Sequence, residues 1–77
     1  MKEFIKRSQD IVLKYLNMTD RNTDEVYVVW SCKTLQNKKV ILSTNLVNGI
    51  LFEITYNGDK DETYVDVYKK NLNYVVK

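Results

Sequence analysis

EVYVVWSCKTLQNKKVILST, residues 25–44, decides the fold of this chain. Val26 to Leu35 alternates Val26, Val28, Trp30 and Cys32 with Tyr27, Val29, Ser31 and Lys33. That is a period of two built from strong β-formers. Gln36 to Lys38 makes a turn, and Lys39 to Thr44 returns as a second strand. The stretch is predicted to be a β-hairpin, and it holds the only Trp and the only Cys. The alternation groups Trp30 and Cys32 with Val26 and Val28, so both are expected in the core, Cys32 as a small buried thiol.

Upstream, residues 3–17 carry the spacing of an amphipathic helix. Phe4, Ile5, Ile11, Val12, Tyr15 and Leu16 recur at i, i+3, i+4 and i+7. Ser8 falls inside that stripe, where a small side chain lets a helix lie close to a sheet. Lys2, Lys6, Asp10 and Lys14 lie on the other side, and Leu13 falls opposite the stripe, as an exposed apolar residue or part of a partner contact. The polar run Asn17 to Asp24 ends the helix and leads into the hairpin.

Downstream, Ile50 to Asn57 reads as a third strand, with Ile50, Phe52, Ile54 and Tyr56 on one face. Thr63 to Lys70 reads as a fourth, with Val65 and Val67 toward the core. Asn-Gly pairs at 48–49 and 57–58 bracket the third strand, a dipeptide favoured in tight hairpin turns. A two-residue turn at Asn48-Gly49 would put Val40 and Leu42 on the face opposite Phe52 and Ile54. A bulge near Asn45, or a five-residue loop from Asn45 to Gly49, restores one apolar face. Asn71 to Lys77 fits either a short strand or a final helical turn. The expected fold is α+β: an N-terminal helix on a three- to four-stranded antiparallel meander, with residues 1–77 as one domain. Its outer face carries Tyr27, Val29, Glu53, Thr55, Tyr64, Asp66 and Tyr68.

A chain of 77 residues buries only about 60% of its unfolded surface. Such domains are commonly reinforced by disulfides, metals or a partner chain. One Cys makes no internal disulfide, and without His there is no cluster of usable metal ligands. Self-association as a homodimer is the reinforcement left open. Lys6, Arg7 and Asp10 interrupt the N-terminal apolar residues, so no signal peptide is expected. Nor is there a run long enough to span a membrane. A cytoplasmic location is expected, where a lone thiol stays reduced.

Catalytic chemistry finds little support. General acid–base work most often uses His. Asp59, Asp61 and Glu62 sit together on a turn where nothing buries them. NGDKDE lacks the ligand pattern of a calcium loop, and no glycine-rich phosphate loop or other cofactor motif occurs. A non-enzymatic binding protein is the expectation. Tyr27, Tyr64 and Tyr68, with Lys33, Lys69 and Lys70, are the candidate contacts. Tyrosines supply large contact area at low entropic cost, which suits a protein partner. The alternative is nucleic acid, bound by Lys33, Lys38, Lys39, Lys69 and Lys70 beside stacking tyrosines, although a net charge of +2 is small for that role.

Val26-Tyr-Val-Val-Trp30, Cys32-Lys-Thr-Leu-Gln-Asn37, Leu42-Ser-Thr44, Tyr56-Asn-Gly-Asp59 and Tyr68-Lys-Lys70 carry a family resemblance. Across residues 25–70 the chain resembles small, uncharacterised phage and prophage proteins of Gram-positive bacteria. That family is a domain of unknown function and offers no catalytic residues to carry over. The resemblance implies an accessory protein made inside the bacterial host, of a kind that often binds and redirects a host protein.

Overall fold

The computed structural model describes residues 1–69. Along the chain lie α1 (Lys2–Tyr15), a 3-10 turn (Thr23–Glu25), β1 (Val26–Thr34), β2 (Asn37–Thr44), β3 (Ile50–Asn57) and β4 (Glu62–Lys69). The strands form one antiparallel sheet in the order β1-β2-β3-β4. α1 lies across one face of it, giving the α+β architecture expected. Lys70 and the segment Asn71 to Lys77 lie outside the described residues.

The register of β2 against β3 builds the core. Val40 pairs with Ile54 and Leu42 with Phe52, and Val67 of β4 pairs with Phe52. Because side chains alternate, these residues share one face. Val26, Val40, Leu42, Ile50, Phe52 and Ile54 are buried there under Phe4, Val12 and Leu13 of α1. Each such side chain contributes roughly 1.5–3 kcal/mol by leaving water. The connection Asn45 to Gly49 makes this register: it spans five residues, with Gly49 at φ 68°. The two-residue turn at Asn48-Gly49 does not form. Val65 is on the core side by register but is 40% exposed, since β4 is an edge strand that the helix does not cover.

Ser8 does what its place in the stripe implied. It is fully buried, and its hydroxyl donates to the Phe4 carbonyl at 2.8 Å, so no polar atom is left unpaired where helix meets sheet. Gln9 Nε2 donates to the Val26 carbonyl at 2.8 Å and ties α1 to the start of β1. Two expectations for α1 are corrected. Leu13 is buried, and Tyr15 is half exposed, touching the core only where its ring meets Phe52 edge-on at 5.4 Å. The buried arc runs from Phe4 through Ser8 and Val12 to Leu13, turned away from Tyr15 and Ile11 relative to the stripe read from spacing. The helix end explains the turn. Asn17 takes φ 58°, its N–H reaches the Lys14 carbonyl at 3.1 Å, and the Met18 N–H reaches the Leu13 carbonyl at 2.8 Å. This is a Schellman cap, which favours an apolar contact at the helix end, and Met18 packs against the core that Leu13 joins.

β1 departs most from its reading. Val28 pairs with Leu42 and Trp30 with Ile41, so Val29 is an extra residue in a β-bulge. One inserted residue flips every side chain beyond it. Trp30 and Cys32 are therefore not core. Trp30 is 49% exposed, Cys32 is exposed, and both point away from α1.

The hairpin turns at the far end of the sheet hold each other. Thr34 pairs with Asn37, so Leu35 and Gln36 alone make the first turn, with Leu35 at φ 56°. Gly58 to Asp61 make the other, a four-residue turn rather than a tight Asn57-Gly58 pair. Gln36 Nε2 donates to Asp59, the Gly58 N–H donates to Asn37 Oδ1 at 3.1 Å, and Asn57 Oδ1 accepts from the Asp59 N–H at 3.0 Å. A Cβ at Gly58 would strike the Gln36 backbone and lie 2.6 Å from its Cβ, so the close approach requires glycine. Leu-Gln-Asn37 and Asn-Gly-Asp59, two of the segments that carry the family resemblance, thus form one clasp.

Candidate functional site: the open sheet face

α1 covers one face of the sheet, and no described element covers the other. The registers place four cross-strand rows on this open face. Tyr27, Ser43, Leu51 and Tyr68 make the row nearest the Asn45–Gly49 loop. Next comes Trp30, Ile41, Glu53 and Asp66, then Cys32, Lys39, Thr55 and Tyr64. Thr34, Asn37, Asn57 and Glu62 lie beside the clasp.

Four aromatic side chains stand on this face half in water: Tyr27 at 46%, Trp30 at 49%, Tyr64 at 42% and Tyr68 at 52% exposure. Ile41 and Leu51 lie between them, partly buried. Two hollows interrupt the face. One, of about 460 Å³, is walled by Tyr27, Ser43, Leu51 and Tyr68 with the loop after β2. The other, of about 250 Å³, lies among Trp30, Cys32, Thr34, Lys39 and Thr55.

The charges are unevenly shared. Lys39 Nζ sits 3.9 Å from Glu53, an ion pair at the middle of the face. Glu53 is also directly opposite Asp66 across the β3–β4 ladder, a like-charge pair that opposes sheet pairing. One lysine therefore faces two adjacent carboxylates. Glu62 accepts a hydrogen bond from the Tyr64 hydroxyl at 2.7 Å.

Of the six contacts read from the sequence, Tyr27, Tyr64 and Tyr68 are brought together here. Lys33 is not, and Lys69 meets them only at the rim of the hollow that Tyr27 and Tyr68 wall. Lys33 pairs with Lys38 and Lys69 with Ile50, which puts both on the helix side of the sheet, and Lys70 is outside the described residues. Lys38 also serves the helix side, its ammonium 5.9 Å from the Phe4 ring and 5.8 Å from the Tyr56 ring. Trp30, Cys32, Ile41 and Leu51 join the face unforeseen. The adjacent Val28-Val29 pair was the available signal, since it breaks the apolar–polar alternation where the bulge occurs.

The turn acids have structural work. Asp59 accepts from Gln36, and Asp61 accepts from the Tyr56 hydroxyl at 2.7 Å. The Tyr56–Asp61 and Tyr64–Glu62 bonds, first among the causes, hold the two phenols above their usual pKa of about 10; partial desolvation and the same carboxylates add to the shift, and Arg7 opposes it at Tyr56. Each bond stabilises the fold fully below about pH 10 and is lost as pH climbs through the raised folded values. Tyr56→Phe and Tyr64→Phe should each remove one late component from an ultraviolet tyrosinate titration. A titration curve unchanged by Tyr64→Phe would contradict the bond to Glu62.

Among the described residues, no group of three or more His, Cys, Asp or Glu is placed to hold a metal ion, and no helix is long and apolar enough to cross a membrane. The model of a family of unknown function (DUF6275) matches residues 5–77. No curated protein and no solved structure matches the chain.

Proposed function

Since the chain belongs to the DUF6275 family, whose function is unknown, its role must be argued from its own surface, and we propose that it is a non-enzymatic binding protein whose open sheet face docks on another protein. We place it, on the family resemblance, as a phage or prophage accessory protein acting on a host protein in the bacterial cytoplasm. One observation supports the docking role above others: a sheet face without a covering layer among the described residues, bearing one Trp and three Tyr half exposed around Ile41 and Leu51. Large aromatic residues are the commonest anchors of protein interfaces. Contiguous exposed apolar surface is usually a contact site.

Nucleic-acid binding needs rings and lysines on one surface, and the register puts Lys33 and Lys38 on the face opposite Tyr27, Tyr64 and Tyr68, leaving Lys69 at the rim of the hollow beside Tyr27 and Tyr68. Glu53, Glu62 and Asp66 would also repel phosphate from the rings.

Capture from host lysate on immobilised protein tests the reading. Trp30→Ser with Tyr68→Ser should lower retention of a specific partner by about tenfold or more, as expected for two interface anchors. Lys6→Glu with Lys14→Glu, on the outer side of α1, should leave retention unchanged. Equal retention by the open-face variant, or no specific capture by the wild type at micromolar concentration, would overturn it.

A further inference from the structure

The open face carries a charge opposite to the rest of the molecule. Its charged residues are Lys39 against Glu53, Glu62 and Asp66. On the other side, the sheet carries Lys33, Lys38 and Lys69, and α1 adds Lys2, Lys6, Arg7 and Lys14 against Glu3 and Asp10. A chain of net charge +2 thus concentrates acid among its exposed rings. The arrangement at Asp66 is specific. Its cross-strand neighbour is another carboxylate, Glu53, and among the described residues Lys39 is the one cation paired there. Two residues to either side along β4 are Tyr64 and Tyr68, each roughly 7 Å away on the same face. A planar cation at Asp66 could donate to a carboxylate and lie against a ring at once.

Resting on the docking role proposed above, we infer that the partner presents a basic segment, with an arginine that meets Asp66 and Glu53 and stacks on Tyr64 or Tyr68. Arginine suits the place better than lysine, because its guanidinium makes forked bonds to carboxylates and lies flat on aromatic rings. Such a cation would relieve the Glu53–Asp66 repulsion, which the free protein retains. A second copy joined face to face would bring acid against acid, so self-pairing through this surface is disfavoured.

Trp30 is the only Trp and stands on β1, at the opposite end of the same row from Asp66 and about 14 Å from it, so its emission reports a peptide that lies across the sheet. The probes are three peptides of about a dozen residues, alternating Val with Arg, with Lys or with Glu. The Arg peptide should shift Trp30 emission at micromolar concentration, the Lys peptide more weakly, and the Glu peptide not at all. Raising NaCl from about 50 mM to about 500 mM should weaken the Arg peptide several-fold. Asp66→Asn should weaken it about fivefold or more, as expected for a charge-assisted contact. The same variant should keep or raise the melting temperature, because the like-charge pair is gone.

An equal response to the Glu peptide would overturn the inference. So would unchanged binding by Asp66→Asn, or emission that responds only to the protein's own concentration, the mark of a second copy on the face. Failure here is distinguishable from failure of the docking role. If Trp30→Ser with Tyr68→Ser still abolishes host capture while the Arg peptide does nothing, the face binds protein and the basic partner is wrong.

Discussion

Phe52→Ala lowers the thermal midpoint by about 15 °C or more. Phe52 is fully buried at the middle of β3, between Leu42 of β2 and Val67 of β4, with the Tyr15 ring edge-on against it. Truncating a buried Phe costs about 3–5 kcal/mol. A domain of this size holds roughly 4–12 kcal/mol in total. Each kcal/mol moves the midpoint of so small a domain by about 4–8 °C. Circular dichroism on heating is a sufficient measurement. A fall of less than about 5 °C would mean that α1 does not pack where Phe52 lies.

Leu13→Ala and Trp30→Ser should part company in the same assay. Leu13 is 3% exposed and sits at the capped end of α1, so its truncation leaves a cavity beneath the helix and costs about 2–5 kcal/mol. Trp30 is 49% exposed on the open face, and its loss costs about 1 kcal/mol or less. The alternation of β1 alone implies the reverse order. Without the bulge at Val29, Trp30 would be a core residue, and the spacing of α1 alone would leave Leu13 solvated. A Trp30→Ser variant less stable than Leu13→Ala would mean that the bulge is absent.

Most of the fold was legible in residues 25–57 because its signals are local. Period-two runs marked the strands, and the conflict between Val40–Leu42 and Phe52–Ile54 called for either a bulge near Asn45 or a five-residue loop, of which the chain uses the loop. What escaped depends on non-local packing. Val28-Val29 is apolar in either parity, so nothing in its composition says which of the two is the extra residue. Position in the sheet is a second factor. α1 reaches the far row at Lys38 and Tyr56 of the inner strands, where Phe4 lies against Lys38. β1 is an edge strand exposed beyond Val26, so Ser31 and Lys33 face the helix side at no burial cost. Leu13 was misplaced for a third reason: the turn of the helix about its axis is set by its cap, not by the stripe. The candidate site was half legible. Tyr27, Tyr64 and Tyr68 were grouped from alternation alone, while the flip at Val29 brought in Trp30 and kept Lys33 away.

The clasp at the far end links this fold to the face. Gln36 with Asp59, and Asn37 with Gly58, fix the ends of all four strands relative to one another. The rings are thereby held on a rigid sheet rather than on loops, which lowers the entropy lost when a partner docks.

Cys32 gives the most direct test of the open face as the docking surface, because it is the only thiol and lies beside Trp30 on β1. The measurement is its alkylation rate by iodoacetamide, in the free native protein and after a host partner has been captured. Cys32 should react in the free protein without denaturant, and at least about tenfold more slowly in the complex. Reaction only after unfolding would show the thiol buried, and an undiminished rate in the complex would place the partner on another surface.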